Sequence, residues 1–209
     1  MKRLFSILLL ILLTNFCMYS EDINFPPELS WWIYELKEIN NNVEINGFTL
    51  YEQEVRGFTS NIFTSQFMTY PVFMRWNYSG NLIAYYNFND IMLRRQSNGK
   101  YKIYYGDIDS HLVFADGNKN IFFIDSFGSI SGIDAYHWLT DTVLVAVGSW
   151  VNMESKIDLF IKIYTINVLN NTVEIKTYQY KNAITVVDRN NSKLRWYEQR
   201  EDYFEVEDN

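Results

Sequence analysis

Two sets of side chains in this 209-residue chain have types and spacing that could do chemistry. Asp107, Asp109 and His111 recur at every second residue. In an extended segment they would share one face, and two carboxylates with an imidazole could ligate a metal. The same residues suit a turn, because short polar side chains bond back to nearby backbone N–H groups. A turn is the expected role. The second set is Asp134, His137 and Asp141, which flank Trp138. A histidine between carboxylates can act as a general base. No nucleophile stands beside it in the sequence, so His137 is expected to cap a strand edge. The segment Gly128 to Gly132 looks superficially like a nucleophile elbow, but that motif needs a central serine and Ile130 holds the place. A phosphate-cradling glycine loop, a zinc-type Cys/His cluster and a His-Glu-x-x-His helix are all missing from the sequence. Asn77, Asn170 and Asn190 begin glycosylation sequons, which count only in a eukaryotic secretory pathway. No catalytic, cofactor-binding or metal residue is therefore assigned.

The elements that must carry these residues begin with a targeting signal over 1–20. Met1-Lys2-Arg3 is basic, and Leu4 to Leu13 is an apolar run broken only by Ser6. That run fits a signal-peptide core and falls short of the roughly 20 residues a membrane span needs. Cleavage after Ser20 is expected. Cys17 is the single cysteine, and Leu13-Thr14-Asn15-Phe16 precedes it. It is either a lipid-attachment residue or part of the piece removed; membrane contact is expected only if Cys17 is lipidated. The mature chain would hold no disulfide, so its fold must rest on burial in one domain. Loss of Lys2 and Arg3 takes the net charge from -7 to -9. An acidic chain without basic clusters argues against nucleic acid and anionic membranes as partners.

Residues 21–45 form an N-terminal helical segment. Pro26 and Pro27 suit a helix start, and Leu29, Trp32, Ile33, Leu36 and Ile39 recur at helical spacing. This stripe is expected to dock on the chain's own sheet rather than on a partner. Residues 46–197 form a β-rich domain. Its first hairpin is expected around Asn46-Gly47, a favoured hairpin dipeptide. Ten further strands are expected between Val72 and Tyr180, separated by turns such as Ser79-Gly80, Ser97-Asn98-Gly99 and Asp116-Gly117-Asn118. Residues 198–209 form an acidic tail that can hold one more strand before it frays.

An internal repeat runs through the domain. Trp76 is followed at six to eight residues by Leu82-Ile83-Ala84, and Trp138 at the same distances by Leu144-Val145-Ala146. Tyr105 heads a weaker third copy. WNYSGNLIAY (76–85) resembles the blade motif of TolB-like β-propellers, which runs Trp-Ser-Pro-Asp-Gly-x-x-Ile-Ala-Phe. HWLTDTVLVAV (137–147) is similar to a second copy, and DGNKNIFFIDSFG (116–128) to the segment that follows in that family. The resemblance implies an all-β fold of antiparallel sheets, a small or incomplete propeller-like array with one N-terminal helix; a twisted β-sandwich is the alternative. It also implies that each apolar triplet is a buried second strand, and protein interaction as the activity; the matching spacing after Trp138 makes packing the expected role of Trp76 and its neighbouring aromatics. The expected function is that of an exported, non-enzymatic binding or scaffold protein of the cell envelope, whose partner is a protein or envelope component. The alternative is an exported metal-dependent hydrolase using one of the two Asp/His sets.

Overall fold

Alternation of apolar and polar residues becomes strands close to where the sequence places them. The computed structural model describes residues 23–59, 73–88, 92–104, 110–128, 130–190, 194 and 204–205. Residues 1–20 with Cys17, where a targeting signal is expected, the pair Asp107 and Asp109, and Tyr105 of the weak repeat lie outside them. The fold is all-β. Among the described residues the strands form open sheets, not a closed barrel or a closed ring of blades.

Two antiparallel meanders dominate. The first joins β2 (Met74–Trp76), β3 (Leu82–Phe88), β6 (Ser110–Asp116) and β7 (Ile121–Phe127) in that order. A hairpin of β4 (Met92–Arg95) and β5 (Tyr101–Tyr104) projects between β3 and β6 and pairs in parallel with β12 (Phe204–Glu205). The acidic tail therefore does contribute a strand. The second meander runs β8 (Ser131–Trp138), β9 (Val143–Val151), β10 (Lys156–Asn167) and β11 (Thr172–Thr185). Its outer edge is completed by β1 (Thr49–Gly57), antiparallel to β11.

The period-2 alternation sends each sheet's side chains to two cores. Leu82, Ala84, Tyr86, Leu112, Phe114 and Phe123 of the first sheet share one core with Trp138, Leu144, Ala146, Phe160 and Tyr164 of the second. This is the seam between the sheets. Their intervening neighbours Ile83, Tyr85, Val113, Val145, Val147 and Leu159 belong to a second cluster. That cluster also contains Leu29, at the end of a 3-10 turn (Pro27–Leu29), and Trp32 and Leu36 of helix α1 (Ser30–Ile39). Each such side chain, fully buried, contributes about 1.5–3 kcal/mol. The helix stripe thus docks on its own sheet. Trp32 Nε1 donates to Asp134 of β8 at 3.0 Å, and Asn40 Nδ2 to the Ala183 carbonyl at 2.7 Å.

Two expectations are corrected. Asn46-Gly47 makes no hairpin: Ile45–Gly47 is a 3-10 turn, and β1 pairs with β11 instead of a preceding strand. Gly47 serves close packing, since a Cβ there would stand 2.5 Å from the Tyr180 ring. A local turn signal has lost to a long-range contact. The second correction is Trp76, which is 46% exposed and not in the core.

Candidate functional site

Of the two Asp/His sets chosen from sequence, Asp134, His137 and Asp141 lie wholly within the described residues, and they do not assemble into one site. His111 is in strand β6, not a turn, and its Nδ1 lies 2.9 Å from Ser126 Oγ on the paired strand. Asp134 is buried, accepts from Trp32 and pairs with Arg189 of the short helix α2 (Val186–Asn190). His137 Nε2 is 3.6 Å from Glu28, and Asp141 Oδ1 accepts from the Ser79 N–H at 2.6 Å. Between them these three residues face four different elements: α1, α2, the 3-10 turn and the turn between β2 and β3. Among the described residues no group of three or more His, Cys, Asp or Glu side chains could hold a metal. Of Gly128 to Gly132, Ser131 and Gly132 open β8, and the Ser131 N–H donates to the Gly128 carbonyl at 3.0 Å. The Asn77 sequon is closed to modification as folded. Its buried amide donates to Ser79, Asn81 and the Asp141 carbonyl and accepts from the Asn81 and Leu82 N–H groups.

A concave site lies elsewhere, where β1, β9, β10 and β11 run on together. It is an open groove of about 640 Å³, walled by Tyr51, Trp150, Val151 and Met153 and floored by Asp158 and Gln179. Its construction starts in the β9–β10 turn. Asn152 Oδ1 accepts from the Glu154 and Lys156 N–H groups, and Ser155 takes the left-handed conformation that closes the turn. Across the groove the pairing of β10 with β11 slips, so that Lys181, Asn182 and Ala183 oppose the single residue Asp158. Asn182, at φ 52°, turns its N–H toward the Asp158 carboxylate. Such a bulge re-aims side chains at a strand end.

Asp158 organises the floor. Its Oδ1 accepts from Asn152 Nδ2 (2.8 Å) and the Asn182 N–H (2.7 Å). Its Oδ2 accepts from Trp150 Nε1 (3.2 Å) and Gln179 Nε2 (2.7 Å). Four donors thus share its two oxygens. The bond from Gln179 Nε2 fixes that amide's orientation, because a flip would set two oxygens together. Gln179 Oε1 is then buried without a hydrogen-bond partner.

The aromatic wall is equally fixed. Trp150 stacks on Phe160 at 5.2 Å and 17°, and Phe160 stacks on Phe127 of the opposite sheet at 6.0 Å and 8°. Gly148 makes room for this stack: a Cβ there would meet the Gly132 carbonyl at 2.2 Å and the Phe160 ring at 2.5 Å. Tyr51 stands 6.0 Å from Trp150, tilted by 49°. Met153 and Ile130 are exposed beside them. The result is a rigid aromatic surface backed by the seam core, with a carboxylate beneath it. Such a surface can bind.

Tyr51, Trp150, Asn152, Asp158 and Gln179 escape sequence reasoning because they come from three separated segments. Asn152, Ser155 and Asp158 around an Asn-Met-Glu-Ser turn are the one local signal that could have marked the place. No family model, no curated protein and no solved structure matches this chain.

Proposed function

We propose that the chain is an exported, non-enzymatic binding protein of the cell envelope, and that a partner protein occupies the Tyr51–Trp150 groove. The observation that carries this reading is the aromatic wall itself. A stacked Trp with a Tyr beside it, next to exposed apolar side chains, offers the residue types that dominate protein interfaces. A pre-ordered wall also lowers the entropy cost of association. The two four-stranded meanders, each opened by a Trp-turn-apolar hairpin, support a blade-like build of the TolB-like kind. The basic and apolar 1–20 segment supports export.

The test is a photo-crosslinking residue placed at Met153, with Val187 on α2 as an exposed control. A discrete adduct with an envelope protein from Met153, and none from Val187, is the expected outcome. Equal labelling from both positions, or none from Met153, sinks the reading. Cell fractionation with mass analysis of the mature N-terminus checks export: the chain should begin at Glu21 or carry an acylated Cys17. A cytoplasmic chain retaining Met1-Lys2-Arg3 refutes that part.

A further inference from the structure

We propose that the groove takes a cationic side chain, an arginine guanidinium or lysine ammonium, carried by the partner; this rests on the binding reading above. Three aspartates are buried among the described residues: Asp125, Asp134 and Asp158. Asp125 has Arg56 Nη1 at 3.1 Å and Lys162 Nζ at 2.7 Å. Asp134 has Arg189. Asp158 alone of the three has only neutral donors. A buried carboxylate that lacks a counter-charge leaves a negative potential above it, strongest in a concave, weakly polar site. The groove is that site.

The other walls suit the same ligand. The faces of Trp150 and Tyr51 attract a cation through the negative centre of each ring. Val151, Ile130 and Met153 offer apolar surface for the aliphatic stem of a long basic side chain. The unpaired Gln179 carbonyl adds a dipole of the same sign at the floor. Among the other charged groups at the groove, Glu154 pairs with Lys156 at 3.4 Å, while Lys181 brings one positive charge to the rim. Lys181 therefore opposes the ligand, and its removal should strengthen binding.

The chemistry alone is shared by a protein side chain and a free guanidine, so the test separates them. Ac-Ala-Arg-Ala-NH2, its neutral citrulline counterpart and butylguanidinium are titrated against the full mature chain, following indole N–H resonances by NMR. Trp150→Phe identifies the Trp150 signal by its loss. The arginine peptide should shift that signal, and the citrulline peptide should bind at least tenfold more weakly. Asp158→Asn should weaken the arginine peptide about tenfold. Lys181→Gln, a rim change that leaves Asp158 and its donors in place, should tighten it about threefold. Equal binding of arginine and citrulline peptides overturns the cation inference and leaves a neutral partner groove. No shift of the Trp150 signal with either peptide overturns it as well, while the Met153 crosslink judges the binding reading independently. Butylguanidinium binding as tightly as the peptide overturns the assignment to a protein partner.

Discussion

The hairpins after Trp76 and Trp138 carry the same pattern, yet their tryptophans meet opposite fates. Trp76 is 46% exposed and Trp138 is 3% exposed. The apolar triplets behave alike: Leu82 and Ala84, like Leu144 and Ala146, face the seam, while Ile83 and Val145 face the helix-side cluster. What differs is register. Trp138 pairs with Leu144, six residues on, whereas Trp76 pairs with Ile83, seven residues on. A one-residue shift in pairing moves a side chain to the other face of a sheet. Trp138 thereby meets Phe114 edge-on and donates from Nε1 to the Arg75 carbonyl at 2.7 Å. Identical spacing in sequence is thus not identical placement in a sheet.

The two turns also hold each other. Asn77 Nδ2 donates to the Asp141 carbonyl, the Ser79 N–H to Asp141 Oδ1, and Tyr78 OH to the Trp138 carbonyl. The repeated units meet through the residues that vary between them, while the repeated triplets pack in parallel roles.

Trp138→Ala tests the comparison most severely. It should cost ~3–5 kcal/mol in denaturant unfolding, since it empties a filled core and removes the indole donor to the Arg75 carbonyl. A loss as small as that of Trp76→Ala would erase the distinction. Asn77→Ala comes next, at about 1–3 kcal/mol, because a buried amide leaves two N–H groups and a carbonyl without their partner. An unchanged midpoint would mean that the two turns are not coupled. Trp76→Ala should cost less than about 1 kcal/mol by the same measurement, as expected for a half-exposed edge residue. The smallest effect concerns the turn between β6 and β7. Partial burial pushes the Asp116 carboxyl upward, but hydrogen bonds from the Asn120 side chain and the Asn120 and Asn118 N–H groups outweigh it and hold it below its ordinary value. A carboxylate favoured in the folded state stabilises above its unfolded pKa, and that stability fades as pH falls through the folded value. Melting temperature should therefore drop on acidification between about pH 5 and pH 2, less steeply for Asp116→Asn. Identical slopes for both proteins would show that the turn contributes nothing.

Local patterns in the sequence foretell the local structure. The helix is legible because Leu29, Trp32 and Leu36 recur at its period, and the strands because apolar runs sit between Asn, Asp and Gly turns. Asn46-Gly47 misleads because Tyr180, distant in sequence, claims the space above Gly47. Trp76 misleads because a one-residue shift in pairing register is invisible to a motif match. The groove is illegible for a related reason. Asp158 takes its role from a slip opposite Asn182, and Trp150 from a stack whose far member, Phe127, belongs to the other sheet. None of these relations is written in any one window of residues.

The edge strand β1 has a consequence for the order in which the molecule can form. Thr49 and Gln179, 130 positions apart, pair across it, and Trp32 reaches Asp134 over 102. During synthesis the helix and β1 emerge early, yet neither has its binding surface until the second meander has followed. Closing such long loops before any reward is slow. The helix and β1 therefore emerge before the surface that secures them, and an incomplete copy would display an amphipathic helix and a bare strand to whatever holds nascent chains.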